Sequence, residues 1–232
     1  MERFLIFIAM FISCVAYGQE QQKECTTMWP YMFYDFEDAK IIYIDGKTSK
    51  NKVNVHYRAS QLHYLDGDNI REANGGMIYS VTIGEQSFIY FEGGLIKVEA
   101  ACEDGFVGTV TLADFNRLNE APGAYGTTSN ISATRKLTSM EEIGAVGGFT
   151  NVNHMDLREN RKGGVTLYLE ENRFVVLPDD KLVATKSGIS RELTKEGKKA
   201  FKEFEKRENI DWNDPQSILK TVAFLTNTNY RK

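Results

Sequence analysis

The sequence is poor in the residues from which most catalytic and metal sites are built, with three histidines, three cysteines and four prolines in 232 residues. No cysteines stand in a CxxC or Cys/His spacing, which excludes the common zinc modules. GxSxG, HExxH and P-loop motifs are missing, and with them the hydrolase, metalloprotease and nucleotide-binding classes they mark. There is no basic run, and 28 Lys and Arg stand against 32 Asp and Glu for a formal charge of −4, so the electrostatic footprint of a nucleic-acid binder is lacking. After Val15 no apolar stretch approaches the roughly 20 residues needed to cross a bilayer. What remains is an ordinary globular composition, 42% hydrophobic and 26% charged, sufficient for one or two small domains. Nothing in it identifies a reaction or calls for a cofactor.

The one apolar run, Phe4 to Val15, follows Arg3 and precedes Ala16-Tyr17-Gly18. This is the anatomy of a signal peptide over residues 1–18, with small residues placed for cleavage before Gln19. The expected mature chain is soluble and exported to the periplasm or envelope. A rival reading attaches lipid to Cys14, although Phe11 stands where a lipoprotein signal carries a Leu-like residue. Export leaves Cys25 and Cys102 in a compartment where disulfides persist. Pairing them would close a loop of roughly 77 residues and contribute about 4.5 kcal/mol; the alternative is two buried free thiols.

From Lys40 to Asp114, short runs of alternating polarity recur with turn residues between them, the pattern of an antiparallel meander of about seven strands. The expected strands are Lys40–Ile44, Lys52–Arg58, Gln61–Leu65, Met77–Ile83, Gln86–Phe91, Leu95–Ala101 and Phe106–Leu112. Asp66 to Gly76 reads as a loop, and Asp66-Gly67-Asp68-Asn69 is a turn, since Ile70 and Met77 occupy places where a calcium loop needs oxygen ligands. The meander module spans residues 19–115. A polar Gly/Ser/Thr-rich connection over 116–164 follows, containing Pro122-Gly123-Ala124-Tyr125-Gly126. Residues 165–232 then carry hairpins Val165–Leu169, Arg173–Leu177 and Lys181–Thr185, either a second small sheet or an extension of the first. Two amphipathic helices close the chain, one presenting Leu193, Ala200, Phe201 and Phe204, the other opened by Asp214-Pro215 and burying Ile218, Val222 and Leu225. The expected fold is α+β, mostly β.

Cys25-Thr26-Thr27-Met28-Trp29-Pro30-Tyr31, Asn54-Val55-His56, Leu62-His63-Tyr64-Leu65-Asp66-Gly67, Gly123-Ala124-Tyr125-Gly126 and Trp212-Asn213-Asp214-Pro215 resemble a family of uncharacterised exported proteins of Bacteroidetes. The resemblance covers nearly the whole mature chain. It implies an envelope location and carries neither activity nor site residues.

Two constellations qualify as candidate sites. If Ala59-Ser60 is a two-residue turn, His56 and His63 face each other across a hairpin with Cβ atoms roughly 5 Å apart. Val55, Tyr57, Leu62 and Tyr64 then take the core face, and the histidines are expected adjacent, solvated and without metal, Arg58 being close and no third ligand in view. The aromatic segment Trp29, Tyr31, Phe33, Tyr34 and Phe36 either stacks on a glycan or lipid or covers the sheet. His154-Met155-Asp156 reads as surface, and Gly144-Ala145-Val146-Gly147-Gly148 as a loop. The sequence therefore favours a non-enzymatic binding or interaction module whose partner is an envelope protein, a glycan or a lipid. The alternative is an envelope hydrolase with an unidentified acid/base pair.

Overall fold

The computed structural model describes residues 26–27, 29–114, 120–122, 128–130, 152–153 and 167–232. The strands are β1 (Thr26–Thr27), β2 (Glu37–Tyr43), β3 (Thr48–His56), β4 (Gln61–Asp66), β5 (Asn69–Glu72), β6 (Ile78–Ile83), β7 (Gln86–Phe91), β8 (Gly94–Cys102) and β9 (Gly105–Asp114). They continue as β10 (Glu120–Pro122), β11 (Thr128–Asn130), β12 (Val152–Asn153), β13 (Leu167–Leu177) and β14 (Asp180–Val183), followed by helices α1 (Lys186–Glu192), α2 (Lys195–Glu208) and α3 (Pro215–Leu225). The protein is mostly antiparallel β-sheet with a helical cover at one end.

All but β10 and β11, which pair with each other, join one sheet in the order β1-β13-β9-β8-β7-β6-β2-β3-β4-β5-β12, with β14 also on β13. The hairpins β2–β3, β4–β5, β6–β7 and β7–β8 follow turn chemistry, with Gly46, Gly67, Gly84 and Gly93 at positive φ where a Cβ would be strained; the expected meander is broken once, since β6 pairs with β2 and not with β5. The loop expected after Asp66 contains a short strand, since Asn69–Glu72 pairs with β4. Two expected hairpin strands around Glu171-Asn172 form one continuous strand instead: Glu171 lies opposite Thr111 and Asn172 opposite Val110. Nine residues of β9, Phe106 to Asp114, offer β13 a partner at every step from Val176 back to Tyr168, and no Gly or Pro interrupts β13. The C-terminal strands thus extend the first sheet.

The sheet curls into a half-barrel because the β3–β4 turn reaches back to β8 and β9. Leu95 N donates to Ser60 O at 2.8 Å and Ala113 N to Tyr57 O at 2.9 Å, while Ser60 Oγ donates to Leu95 O at 2.6 Å. Ile41, Val53, Val55, Leu62, Val81 and Phe88 fill the concave side. The helices cover β8, β9 and β13, packing Ile189, Leu193, Phe201, Ile218, Val222 and Leu225 against Ala100, Val107 and Val175. Each such aliphatic side chain contributes about 1.5–3 kcal/mol by leaving water. One more helix forms than expected, because Thr185 Oγ1 accepts from Gly188 N at 3.0 Å and starts α1. Asp214 caps α3 by accepting from Gln216 N and Ser217 N, both at 3.1 Å, with Pro215 at its first position.

Candidate functional site

The turn between β3 and β4 is longer than the sequence suggests. Tyr57, Arg58, Ala59 and Ser60 all belong to it, with Ser60 in the left-handed region at φ 52°. The register moves accordingly, so that His63 lies opposite Asn54 and His56 opposite Gln61. The displacement is even, so the two histidines keep a common face as diagonal neighbours rather than a facing pair. That face is not solvated: His56 and His63 are only 1% and 0% exposed. The reason is the segment Trp29 to Phe36, which lies over it as a strap. Tyr31 pairs with His56 through an isolated bridge, and its ring packs edge-on to His56 at 4.9 Å and His63 at 5.4 Å.

The imidazoles stack at 5.0 Å with their planes 15° apart. Tyr31 Oη is 2.8 Å from His63 Nδ1, and Arg58 N donates to His56 Nδ1 at 3.2 Å. Burial pushes the His56 pKa down to about 3, helped by the nearby positive charges of His63 and Arg58, and burial alone pushes His63 to about 4. Burial also drives the Tyr31 phenol upward, so it keeps its proton. The cluster is thus neutral at ordinary pH. Among the described residues, no group of three or more His, Cys, Asp or Glu is placed to hold a metal ion.

Asn54 fastens the strap to the same face. Its Oδ1 accepts from Phe33 N at 3.0 Å and Val55 N at 2.9 Å, and its Nδ2 donates to Phe33 O at 2.8 Å and Asp35 O at 3.0 Å. Trp29 and Tyr31 are core residues beside Phe36 and Ile70, so their rings are not offered to a glycan or lipid. Phe33 is half-buried and meets Phe88 edge-on at 6.5 Å. Tyr34 alone of the four ligand candidates stands in solvent. Among the described residues no disulfide is seen, and Cys102 is an exposed thiol that donates to Gly105 O at 3.4 Å. Cys25 lies outside the described residues, as do His154 and the Gly144 cluster.

The feature with the character of a binding surface lies at the open end of the half-barrel. Ile42 pairs with Ser80, but Tyr43 pairs with Ile78, so a bulge leaves Tyr79 without a register partner. Ile78 turns inward and Tyr79 is ejected, an effect that bulges produce by adding one residue to a strand. Tyr79 is 57% exposed, beside Met77 at 45%, and Ile44 at 62% is tied to Met77 by an N–H···O bond of 3.0 Å. These are three of the five large hydrophobic residues that stand in solvent among the described residues. Met77 lines a cleft of about 520 Å³ together with Ile41, Tyr43, Tyr64, Ala73 and Ile78, with Asn51 and Asn74 as polar groups, and Ile44 and Tyr79 adjoin its lining residues Tyr43 and Ile78 in the chain. At its rim Lys47 Nζ lies 2.7 Å from an Asp45 carboxylate oxygen, and these hydrogen bonds hold the Asp45 pKa below its ordinary value. A second cleft of about 360 Å³ runs between Phe91 and Phe174. It is filled in part from within, since Lys181 sits over both rings and pairs with Glu92 at 3.0 Å.

No protein-family model matches the chain, and neither a curated protein nor a solved structure matches it. The rim escapes sequence reasoning because Met77 and Tyr79 share the alternation of inward-facing Val81 and Ile83. The bulge reverses Tyr79, and Met77 ends the short 3-10 turn Gly75–Met77 ahead of the strand.

Proposed function

We propose that this chain is an exported, non-enzymatic binding module of the cell envelope, and that it engages its partner through the open end of the half-barrel. The observation that carries the reading is the exposed cluster Ile44, Met77 and Tyr79 beside the cleft, since apolar side chains gathered in solvent mark an interaction surface. The mouths of β-barrels are recurrent ligand sites. Export is supported by the Arg3, Phe4–Val15 and Ala16-Tyr17-Gly18 pattern and by the resemblance to exported Bacteroidetes proteins. A hydrolase would need titratable groups converging in a cleft. Among the described residues this cleft has one carboxylate, Asp45, already held by Lys47, and no histidine.

The test compares the exported chain with its Ile44→Ser, Met77→Ser, Tyr79→Ser triple variant, both immobilised and exposed to a solubilised envelope fraction. The expected result is a retained component that the variant loses, with no turnover of ester, peptide or glycoside reporters. Equal retention by the variant, or reporter hydrolysis by the wild-type chain, overturns the reading.

A further inference from the structure

Near the apolar rim, the exposed face of β2 and β3 sets two like charges against each other. Lys40 and Lys50 lie directly opposite each other, and Lys52 faces Asp38 one pair further along. Like charges placed across a strand pair repel, whereas Lys52 and Asp38 form an ion pair of 3.3 Å. No ion pair among the described residues engages Lys40 or Lys50. Asp38, the one carboxylate next along this face, is engaged by Lys52, and the strands on the other side offer hydroxyls: Thr82 of β6 lies opposite Lys40 and Ser87 of β7 opposite Thr82. Lys40 and Ile44 are four residues apart along one strand and its turn, about 13 Å. A positive pair and an apolar tip therefore share one short footprint on a chain whose formal charge is −4.

We infer that this face docks on an anionic lipid bilayer, with Ile44, Met77 and Tyr79 entering the interface and Lys40 and Lys50 meeting headgroup phosphates. This rests on the reading of the open end as the binding surface and names the partner. Interfacial binding combines buried apolar area with attraction to anionic lipid, and tyrosine is favoured at that depth because its ring is apolar and its hydroxyl is wet.

Vesicle co-sedimentation tests the inference, using phosphatidylcholine vesicles with and without a minor fraction of phosphatidylglycerol. The wild-type chain is expected to pellet with the anionic vesicles and to be released as salt rises. Lys40→Gln with Lys50→Gln should lower the partition by about 30-fold, the product of two surface lysines. This variant should also melt no lower than the wild type, since a repulsive pair has been removed. Ile44→Ser with Tyr79→Ser should lower the partition with the net charge unchanged. The inference is overturned if the chain ignores anionic vesicles, pellets equally with neutral ones or is indifferent to the lysine substitutions. It is equally overturned if the rim variant abolishes a dimer seen in sedimentation velocity instead. If vesicles fail while the rim variant still loses its envelope component, the bilayer is refuted and the binding function stands.

Discussion

Acid should weaken this protein through His56 and His63, in a pH range where its carboxylates contribute little. Both rings are buried and neutral, with folded pKa values near 3 and 4 against 6.5 for an unperturbed histidine. Between those limits the unfolded chain binds protons that the folded chain refuses, so stability falls as pH falls below about 6.5 and the loss stops near the folded values. At pH near 5 each histidine is displaced by about 1.5 pH units from its unfolded midpoint, which is about 2 kcal/mol, or about 4 kcal/mol for the pair. Full burial means that solvent screening does not reduce this figure, and it is a large part of a typical 5–15 kcal/mol stability. Urea unfolding at several values between about pH 7.5 and 5 measures it, because carboxylate linkage acts chiefly below that window. The slope near the acid end should correspond to about two protons taken up on unfolding, and His63→Gln should remove about one of them. A flat profile, or imidazole NMR signals of the folded protein titrating near 6.5, would show that the cluster is hydrated and the burial argument wrong.

Asn54→Ala removes four hydrogen bonds beneath the strap and should cost about 3–4 kcal/mol, visible as a lower urea midpoint with exposed Trp29 fluorescence; an unchanged midpoint would mean that the strap is held by its aromatic contacts alone. Gly108→Ala should cost about 3 kcal/mol, because the new Cβ would lie 2.5 Å from Lys97 O and 2.6 Å from Ile96 Cγ2; thermal melting checks it, and a wild-type melting temperature would show that β8 and β9 separate easily. Intact-mass measurement on protein from its native envelope should give a chain beginning at Gln19, and a lipid-bearing Cys14 would place it on a membrane by covalent anchorage.

Most strands and hairpins were legible because they follow from local chemistry, whereas the pairing of β6 with β2 joins segments far apart in sequence and leaves no local signal. Gln86–Phe91 was readable residue for residue, since alternation between turn-forming residues leaves little freedom in where a half-buried strand begins and ends. The helix at Asp214-Pro215 was equally plain, because a capping carboxylate before a proline is a signal contained within two residues. The polar face of β3 and β4 misled for the opposite reason. Asn54, His56 and His63 alternate with Val53, Val55 and Leu62 as a solvated face does. Whether such a face meets water depends on a strap lying two dozen or so residues upstream, and the partners that satisfy Asn54 are its backbone atoms, which leave no trace in residue type.

The open end was illegible for a further reason, which also bears on what it does. Ile44 lies at the tip of a turn, Tyr79 on a bulge and Lys40 opposite Lys50, and each of these breaks a local rule that the rest of the sheet obeys. Any one of them is unremarkable on a protein surface. Sequence reasoning treats such departures separately, since nothing in the residue order says that a turn after β2, a bulge in β6 and a register pair in β3 meet at one place. The structure brings them together, and locally unfavourable choices gather where stability yields to function. Like charges set across a strand pair do not favour the fold, and Tyr79, at 57% exposure, contributes little to packing. Ile44, Met77 and Tyr79 stand in solvent outside the buried clusters, so substituting them leaves the core in place. Rim and lysine substitutions therefore test binding directly.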